Sequence, residues 1–299
     1  MRPIFLFAPL LVCFAATAGA SGWSGPEYAG VFTDPDLDEV SGMAASHAQP
    51  GRYWVQDDSG NGEKLMLIEG DGSRVATVKV TGATNVDWED LDSFDQDGRH
   101  YLLVADTGDN GGIRKQLSLY VFEEPAHPKD GDTIDPAWTI RFRWPDGARD
   151  CEATAVDPGK GEVLLISKKR VPPELFSVPL RPSAGELTAR LLGTLPGIVQ
   201  PSEADLRRNP VYGRYRAQIS GADLSPNGRV LAVLNYRALY FFVRQPGETW
   251  ASVLKQTPGT LAYPWLPQAE AIAFSVDGSQ LTIGGEQRPS PLLRFRTNH

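Results

Sequence analysis

The chain of 299 residues has only two cysteines, three methionines and four histidines. Cys13 lies in an apolar N-terminal stretch and Cys151 lies near the middle of the chain, so a hydrophobic core must stabilise the fold without disulfide bonds. The histidines are His47, His100, His127 and His299. The first three fall in predicted turns, which disfavours a zinc site or a Ser-His-Asp hydrolase. The Walker loop, dinucleotide fingerprint and nucleophile elbow are also absent from the sequence.

Long apolar runs are missing except in the first twenty residues. The run "IFLFAPLLVCFAATAGA" is short for a membrane span and ends in Ala18-Gly19-Ala20, which is typical of a cleavage site. We interpret residues 1–20 as a signal peptide and 21–299 as a single domain. Val12 before Cys13 disfavours a lipoprotein. The sequence therefore predicts a secreted or periplasmic protein with no membrane insertion after signal removal.

Basic residues are fewer than acidic ones, with 29 Lys and Arg against 37 Asp and Glu. Removal of the predicted signal peptide takes away Arg2 and no acid, so the remaining formal charge is 28 minus 37, or minus nine. Nucleic acid and anionic membranes are disfavoured as partners. A small molecule or a glycan is the expected ligand, and a monomer is the favoured oligomeric state.

Helical periodicity is almost absent, and 30 glycines and 24 prolines separate short alternating apolar runs. This pattern predicts many short strands. Five segments align without gaps as starts of a repeated unit: "SGMAAS" (41–46), "EDLDSF" (89–94), "EATAVD" (152–157), "SGADLS" (220–225) and "EAIAFS" (270–275). In each unit a turn, a second strand, a polar loop and a third strand follow.

Four units add a fourth extended run, at 74–80, 138–144, 187–193 and 250–256, and the fifth stops without one. The missing strand is "EYAGVF" (27–32), which precedes the first unit. The pattern predicts an all-β protein, a β-propeller of five four-stranded blades closed by an N-terminal strand. A sixth blade within 197–219 is the alternative, and a β-sandwich is the second choice of fold.

The repeat places five residues at the starts of the innermost strands, at one end of the propeller axis: Ser41, Glu89, Glu152, Ser220 and Glu270. We call these the start residues. The loops between second and third strands lie at the same end. Two carboxylates about 7 Å apart repel by roughly 2 kcal/mol at an effective dielectric constant near 20, so three of them require a cation, shared protons or basic neighbours. The predicted ligand-binding residues here are Lys168, Arg170, Arg237, Arg114, Glu286, Ser41 and Ser220.

Two loops at this end have metal-ligand character. "DDSGNG" begins like an EF-hand, but Ile68 occupies the twelfth position and the match fails. "DTGDNGG" (106–112), which we call the D-x-G-D-N loop, suits either a hard cation or a tight turn in which Asp and Asn bind their own backbone. The predicted ligands of a calcium ion are Glu89, Glu152, Glu270, Asp106, Asp109 and Asn110. In the alternative, the three glutamates bind backbone amides of adjacent blades and only stabilise the ring.

At "NVDWEDLDSF" and "YLLVADTGDNGGIRKQLSLYVFEEP" the chain resembles a group of secreted bacterial propeller proteins of unassigned function. This resemblance continues through "CEATAVD" and "AEAIAFSVDG" and covers most of residues 21–299. More distantly, the start segments are similar to those of the esterase-like phytase family and of the gluconolactonase and senescence-marker propellers. The distant resemblance implies a calcium-assisted hydrolase, although the lactonase asparagine ligands have no matching positions here.

These observations lead to two hypotheses of function. In the first, the acidic end binds a divalent cation and acts on an anionic or ester-type small molecule. The enzyme would be a metal-dependent ester, phosphoester or lactone hydrolase with Glu89 or Glu152 as general base. In the second, the same end is a non-catalytic module for a glycan, a peptide or an envelope protein partner.

Overall fold

The computed structural model describes residues 22–182 and 185–298. The predicted signal peptide and its cleavage site lie outside these ranges. Within them, no helix is long and apolar enough to cross a membrane.

The described residues form twenty-two strands. The first half comprises β1 (Glu27–Phe32), β2 (Val40–Ala45), β3 (Tyr53–Asp57), β4 (Lys64–Ile68), β5 (Arg74–Val80), β6 (Trp88–Gln96), β7 (Arg99–Asp106), β8 (Leu117–Glu123), β9 (Thr133–Ile134), β10 (Trp138–Arg143) and β11 (Ala153–Asp157). The second half comprises β12 (Glu162–Ile166), β13 (Glu174–Pro179), β14 (Leu187–Thr188), β15 (Arg190–Thr194), β16 (Ile219–Leu224), β17 (Val230–Asn235), β18 (Ala238–Val243), β19 (Gly259–Ala262), β20 (Ala269–Phe274), β21 (Gln280–Gly285) and β22 (Ser290–Arg296). The helices are α1 (Glu203–Arg208), α2 (Trp250–Val253) and one 3₁₀ turn (Gly213–Tyr215).

The strands form five antiparallel sheets that are the blades of a β-propeller, which confirms the predicted fold class. From the inside outwards the blades are β2-β3-β4-β5, β6-β7-β8-β10, β11-β12-β13-β15, β16-β17-β18-β19 and β20-β21-β22-β1. Short β9 and β14 extend the first two sheets by parallel pairing. Residues 197–219, all of which the structure describes, hold α1 and the 3₁₀ turn, so the alternative of a sixth blade there is wrong.

The N-terminal strand closes the ring, as the missing fourth strand predicts. β1 pairs antiparallel with β22 from Glu27 opposite Arg294 to Phe32 opposite Ser290. Ahead of β1, the Trp23 ring stacks on Phe241 of the fourth blade with centroids 5.4 Å apart. Because β1 is the outermost strand of the last blade, this pairing covers the edge of β22 and joins the two ends of the described chain in one sheet.

Two predicted fourth strands are wrong in detail. Residues 250–256 were predicted as a strand, but α2 begins there because the Thr249 side chain accepts a hydrogen bond from the Ser252 amide. The fourth strand of that blade is β19 instead. Residues 187–193 divide between β14, which joins the neighbouring blade, and β15.

The inner strands pack closely around the axis because small residues follow two of the start residues. A methyl group on Gly42 would overlap the backbone at Asp90 and Leu91 of the next blade. One on Gly221 would overlap the Glu270 carbonyl. The Ser-Gly pairs of the first and fourth blades therefore narrow the ring, and every residue of β2, β11 and β20 is buried.

Candidate functional site

The start residues gather at one end of the axis, which we call the mouth. In four blades the pairing of the first two strands skips the start residue: Ser41, Glu89, Ser220 and Glu270 are each the extra residue of a β-bulge. Glu152 lies directly before β11. A bulge turns its extra side chain away from the regular alternation of the strand. In four of the five blades the repeated motif is therefore a β-bulge that presents the side chain of its start residue at the mouth.

The two serines among the start residues stabilise the ring itself. Ser41 Oγ donates to the Glu89 carbonyl at 2.7 Å, and Ser220 Oγ donates to the Ala269 carbonyl at 2.6 Å. Both bonds join adjacent blades and both hydroxyls are buried. Their hydroxyl protons are directed to backbone oxygens and not to a ligand in the mouth.

Five carboxylates meet at the mouth in two overlapping groups, which together we call the mouth cluster. One group is Asp58, Asp87 and Glu89, and the other is Glu89, Asp150 and Glu152. Within each group one oxygen per residue lies within 4.8 Å of the others. Glu89 belongs to both groups, so it occupies the centre of the arrangement. Such a set of oxygen donors suits a hard divalent cation.

The basic residue at the centre of the mouth is Lys168. Its ammonium forms an ion pair with Glu152 Oε1, and only 11% of the lysine side chain is exposed. Glu152 Oε2 is buried and makes no hydrogen bond. Next along the chain, Lys169 Nζ lies 2.8 Å from Asp150 Oδ2. The charge of the mouth cluster is thus only partly neutralised by protein groups. The buried Glu152 Oε2 atom has no hydrogen-bond partner among the described residues.

Burial raises the pKa values of the mouth carboxylates. Loss of solvation, with repulsion from Asp87, raises the pKa of Asp58 to about 6. The same two causes, burial and neighbouring carboxylates, raise the pKa of Glu89 well above its usual range. Burial also raises the pKa of Glu286 to about 8, with Glu270 as the largest electrostatic cause. A site with these properties favours either protons or a cation.

Glu270 and Glu286 lie at the mouth but outside the two carboxylate groups. Tyr236 donates its hydroxyl proton to Glu270 Oε1 at 2.6 Å, while burial raises the pKa of this glutamate to about 7. Glu286 accepts a hydrogen bond from the Gln268 side chain. The three glutamates predicted as one set of ligands are therefore divided, with Glu270 held by a tyrosine.

In the D-x-G-D-N loop the predicted metal ligands have protein partners. Asp109 accepts the backbone amides of Ile113 at 2.8 Å and Arg114 at 2.9 Å, one on each oxygen. Arg114 in turn lies 3.0 Å from Asp106 Oδ1. Asn110 Oδ1 accepts a hydrogen bond from Lys169 at 2.7 Å. These contacts are those of an ordered turn, the alternative use of this loop that its sequence also indicates.

The remaining predicted ligand-binding cations also pair with acids. Arg237 lies 3.1 Å from Asp205 of α1, and Arg216 lies 2.9 Å from the same carboxylate. Arg170 is half exposed and lies 3.8 Å from Glu174. The helix α1 therefore connects to the mouth through Arg237.

Sequence reasoning missed Asp58, Asp87 and Asp150 as members of the mouth cluster. Two of them share a signal, because Asp87 and Asp150 each lie two residues before a start glutamate, in "DWE" and "DCE". Because this position lies next to the start of an innermost strand, it lies at the same end of the axis. Asp58 belongs to the "DDSGNG" loop, which lacks the spacing of an EF-hand, so no local pattern marks this aspartate as a ligand.

Below the mouth, further acids are buried in the interior of the ring. Asp90 Oδ2 accepts the Thr154 amide at 2.7 Å, and Asp92 Oδ2 accepts the Thr154 hydroxyl at 2.6 Å. Asp223 Oδ2 accepts the Phe274 amide at 2.6 Å. Burial raises the pKa of Asp92 to about 7. These residues join adjacent inner strands, which is a structural role.

Cys151 is not a nucleophile in this arrangement. Its side chain is buried, and burial raises the pKa of the thiol to about 12. A catalytic thiol requires the opposite shift. Cys151 packs in the hydrophobic core between the second and third blades.

Exposed apolar side chains surround the mouth. Eleven large hydrophobic residues are exposed in the described ranges, and eight of them lie in the connections at the mouth end, one of them in α1. These eight, which we call the apolar rim, are Val86, Ile113, Val171, Val199, Leu206, Val211, Tyr212 and Trp265. Trp265 is 81% exposed. An acidic centre with an apolar margin distinguishes this end from the rest of the surface.

No family model and no curated protein matches the chain. Among solved structures, a gluconolactonase from Xanthomonas campestris is 14% identical with a TM-score of 0.49, over 94% of this chain and 87% of that one. A putative 6-phosphogluconolactonase from Bacteroides uniformis is 15% identical with a TM-score of 0.42, over 86% and 67%. The WD40 repeats of RRP9 are 14% identical with a TM-score of 0.41, over 87% and 67%.

Lactonase structures are thus among the similar ones, as the distant resemblance predicts. At these identities and TM-scores they do not indicate the activity of this chain. The resemblance to secreted propellers with the "DWED" segment stays a prediction.

Proposed function

We propose that the mouth cluster binds a divalent cation, calcium foremost, and that the protein hydrolyses an ester or lactone of a small molecule. The observation that carries the proposal is the pair of carboxylate groups that share Glu89, together with the buried and unpartnered Glu152 Oε2. All donors are carboxylate oxygens, which suit calcium better than a transition metal.

The residues present fit such a cation. Glu89, Asp58 and Asp87 would hold it from one side, and Asp150 and Glu152 from the other. When bound, it would supply Lewis acidity towards a carbonyl or phosphoryl oxygen. Its positive charge would also offset the repulsion that raises the pKa values of these carboxylates.

The protein groups would perform the proton transfers. Glu89, buried at the centre of the mouth cluster, would accept a proton from the water that attacks the carbonyl carbon. The same proton would then pass to the alkoxide oxygen as the bond from carbon to oxygen breaks, so that a lactone opens to a hydroxy acid. Lys168 would attract the carboxylate formed.

Thermal unfolding with and without calcium tests the cation site. We expect calcium to raise the Tm of the wild type, since a ligand at a hundredfold excess over its Kd stabilises the folded state by about 2.7 kcal/mol. A chelator should reverse the gain. Glu89→Gln should abolish it because both carboxylate groups lose their shared member. Glu123→Gln, an exposed glutamate in β8, is the matched control and should behave like the wild type.

Hydrolysis is tested on the same variants with aryl esters, phosphate esters and five- and six-membered lactones, followed by release of acid. Activity should require the cation and fall in Glu89→Gln but not in Glu123→Gln. If calcium, magnesium and manganese all leave the Tm of the wild type unchanged, the cation site is refuted. If the protein binds a cation but hydrolyses none of these substrates, the proposed hydrolase activity is refuted and the proposed cation site is retained.

The apolar rim favours a second candidate function, a module that binds a peptide or protein partner. A peptide with a basic side chain between apolar residues would match the acidic mouth and its margin. Peptides of this pattern, measured by isothermal titration calorimetry, should bind the wild type and lose affinity with Trp265→Ala. Equal binding of an acidic peptide of the same apolar content would contradict this function.

A further inference from the structure

At the end of the propeller opposite the mouth, His47, Asp95 and His100 come together. His47 lies in the turn between β2 and β3, and Asp95 faces His100 across the ladder of β6 and β7. Asp95 Oδ1 lies 2.8 Å from His47 Nδ1 and 2.6 Å from His100 Nδ1. The three residues offer donor atoms that all lie within 4.8 Å of one another.

The contacts of His47 leave its Nδ1 atom without a hydrogen-bond partner. Its Nδ1 atom is buried and makes no hydrogen bond, although it lies so close to the Asp95 carboxylate. The side chain as a whole is only 11% exposed. A buried ring nitrogen 2.8 Å from a carboxylate oxygen, but outside the geometry of a hydrogen bond, would be satisfied by a cation that binds both atoms.

Glu124 fixes the two histidines relative to each other. Its amide donates to the His100 carbonyl at 2.9 Å. Its Oε2 atom accepts the amides of His47 at 3.0 Å and Ala48 at 3.1 Å. The buried Trp54 indole donates to Oε1 at 2.8 Å. Glu124 thus connects the turn of the first blade that carries His47 to the second blade and fixes the backbone at both histidines.

We propose that His47, Asp95 and His100 bind a transition-metal cation of the zinc or copper class. Imidazole nitrogens with one carboxylate are a donor set that such cations prefer over calcium. In a tetrahedral zinc site the donors are about 3.3 Å apart, so Asp95 Oδ1 would have to move by roughly 0.5–0.7 Å away from the two ring nitrogens to accommodate the ion.

Three protein ligands leave one position of a tetrahedral site open. His47 and Asp95 also line a cavity of about 340 Å³ that extends to Lys160 and Asp223. The open position is therefore accessible from this cavity. The site is independent of the proposed function, because it lies at the other end of the axis and shares no residue with the mouth cluster.

The low histidine content makes a clean test possible. Of the four histidines, His127 is exposed and His299 is at the C-terminus, so a His127→Ala/His299→Ala protein keeps only the two histidines of the cluster. Calorimetry with zinc should give one equivalent bound to this protein. Electron paramagnetic resonance with copper should show two nitrogen ligands. Glu89→Gln in the same background should bind zinc equally well, which separates this site from the mouth.

His100→Ala and Asp95→Asn should each abolish the binding of this one equivalent of zinc. Both residues are about half exposed, so the metal-free variants should keep the Tm of the parent, and His100→Gln is available if the alanine variant does not fold. Glu124→Gln, a positioning change, should weaken zinc binding by about tenfold or more while the two-nitrogen copper signal remains. The proposal is overturned if zinc, cobalt and copper do not bind, or if His100→Ala binds as tightly as its parent.

Discussion

The α-carbon of Gly108 lies directly against the carboxylate of Glu89, so that a methyl group there would overlap Glu89 Oε1 and the Asp87 carboxylate. The glycine of the D-x-G-D-N loop therefore makes room for the mouth cluster. We expect Gly108→Ala to displace Glu89, at a cost in stability of about 1–3 kcal/mol, and to remove the rise in Tm with calcium. Gly111→Ala in the same loop is the control, because its added methyl would meet Ile113 only at ordinary contact distance.

Calcium-dependent unfolding of the two variants measures this effect. An equal response of Gly108→Ala and wild type to calcium would show that the packing at Gly108 has no bearing on a cation.

Lys168→Met should make the protein more dependent on a cation. Without Lys168, buried Glu152 loses its counter-charge, and removal of one partner from a buried pair costs about 3–5 kcal/mol. The Tm without metal should therefore fall. Calcium should restore more stability to this variant than to the wild type, because the ammonium no longer competes with it.

Lys169→Met is the control for Lys168→Met, since it removes a neighbouring charge and leaves the ion pair of Glu152 intact. Melting curves of both variants with and without calcium measure how much stability the cation restores to each. If calcium fails to restore the stability of Lys168→Met, no calcium ion replaces Lys168 beside Glu152.

The stability of the metal-free protein should decrease as the pH rises. Burial raises the pKa of Asp92 to about 7 and the pKa of Asp223 well above its usual range. Both groups bind a proton more tightly in the folded state. Their contribution is complete below the unfolded pKa near 4 and is lost as the pH rises through the folded pKa, so the Tm should fall between about pH 5 and about pH 8.

Asp92→Asn should reduce this slope, because the amide has no proton to lose and its oxygen still accepts from Thr154. Asp97→Asn, in the exposed turn between β6 and β7, should leave the slope unchanged. Melting curves at several pH values in a chelating buffer measure both slopes. Identical slopes for Asp92→Asn and wild type would assign the pH dependence to other groups.

The contribution of β1 to the stability of the closed ring can be measured by truncating one buried side chain of this strand. Phe32 is 1% exposed, and its truncation to alanine should cost about 3–5 kcal/mol of unfolding free energy. Tyr28→Ala on the same strand is the control, because Tyr28 is 68% exposed and should change stability little. Urea denaturation gives both values. A loss below about 1 kcal/mol for Phe32→Ala would mean that closure contributes little to stability.

Local patterns in the sequence determined the fold class, the number of blades and the closing strand. Alternation of apolar residues and the repeated start segments are properties of neighbouring residues, and each blade is formed by such neighbours. The error at 250–256 has the same origin, because the apolar run of a short helix capped by Thr249 resembles that of an outer strand.

The sequence also identified Glu89 and Glu152, since a position that repeats in every blade must recur at the same end of the axis. It did not decide which of the acids there share a site. Asp58, Asp87 and Asp150 join Glu89 only because the bulges and the narrow ring bring three blades together. Tyr236, which holds Glu270 apart from them, is 34 residues away in the chain.

The cluster of His47, Asp95 and His100 was decided by tertiary structure alone. Isolated histidines in separate segments carry no ligand spacing in the sequence. They meet because Glu124 of the second blade binds the turn of the first, through contacts between residues more than 70 positions apart. Sequence patterns report contacts within a blade, whereas the distances between donors at either end of the axis depend on how the blades pack against one another.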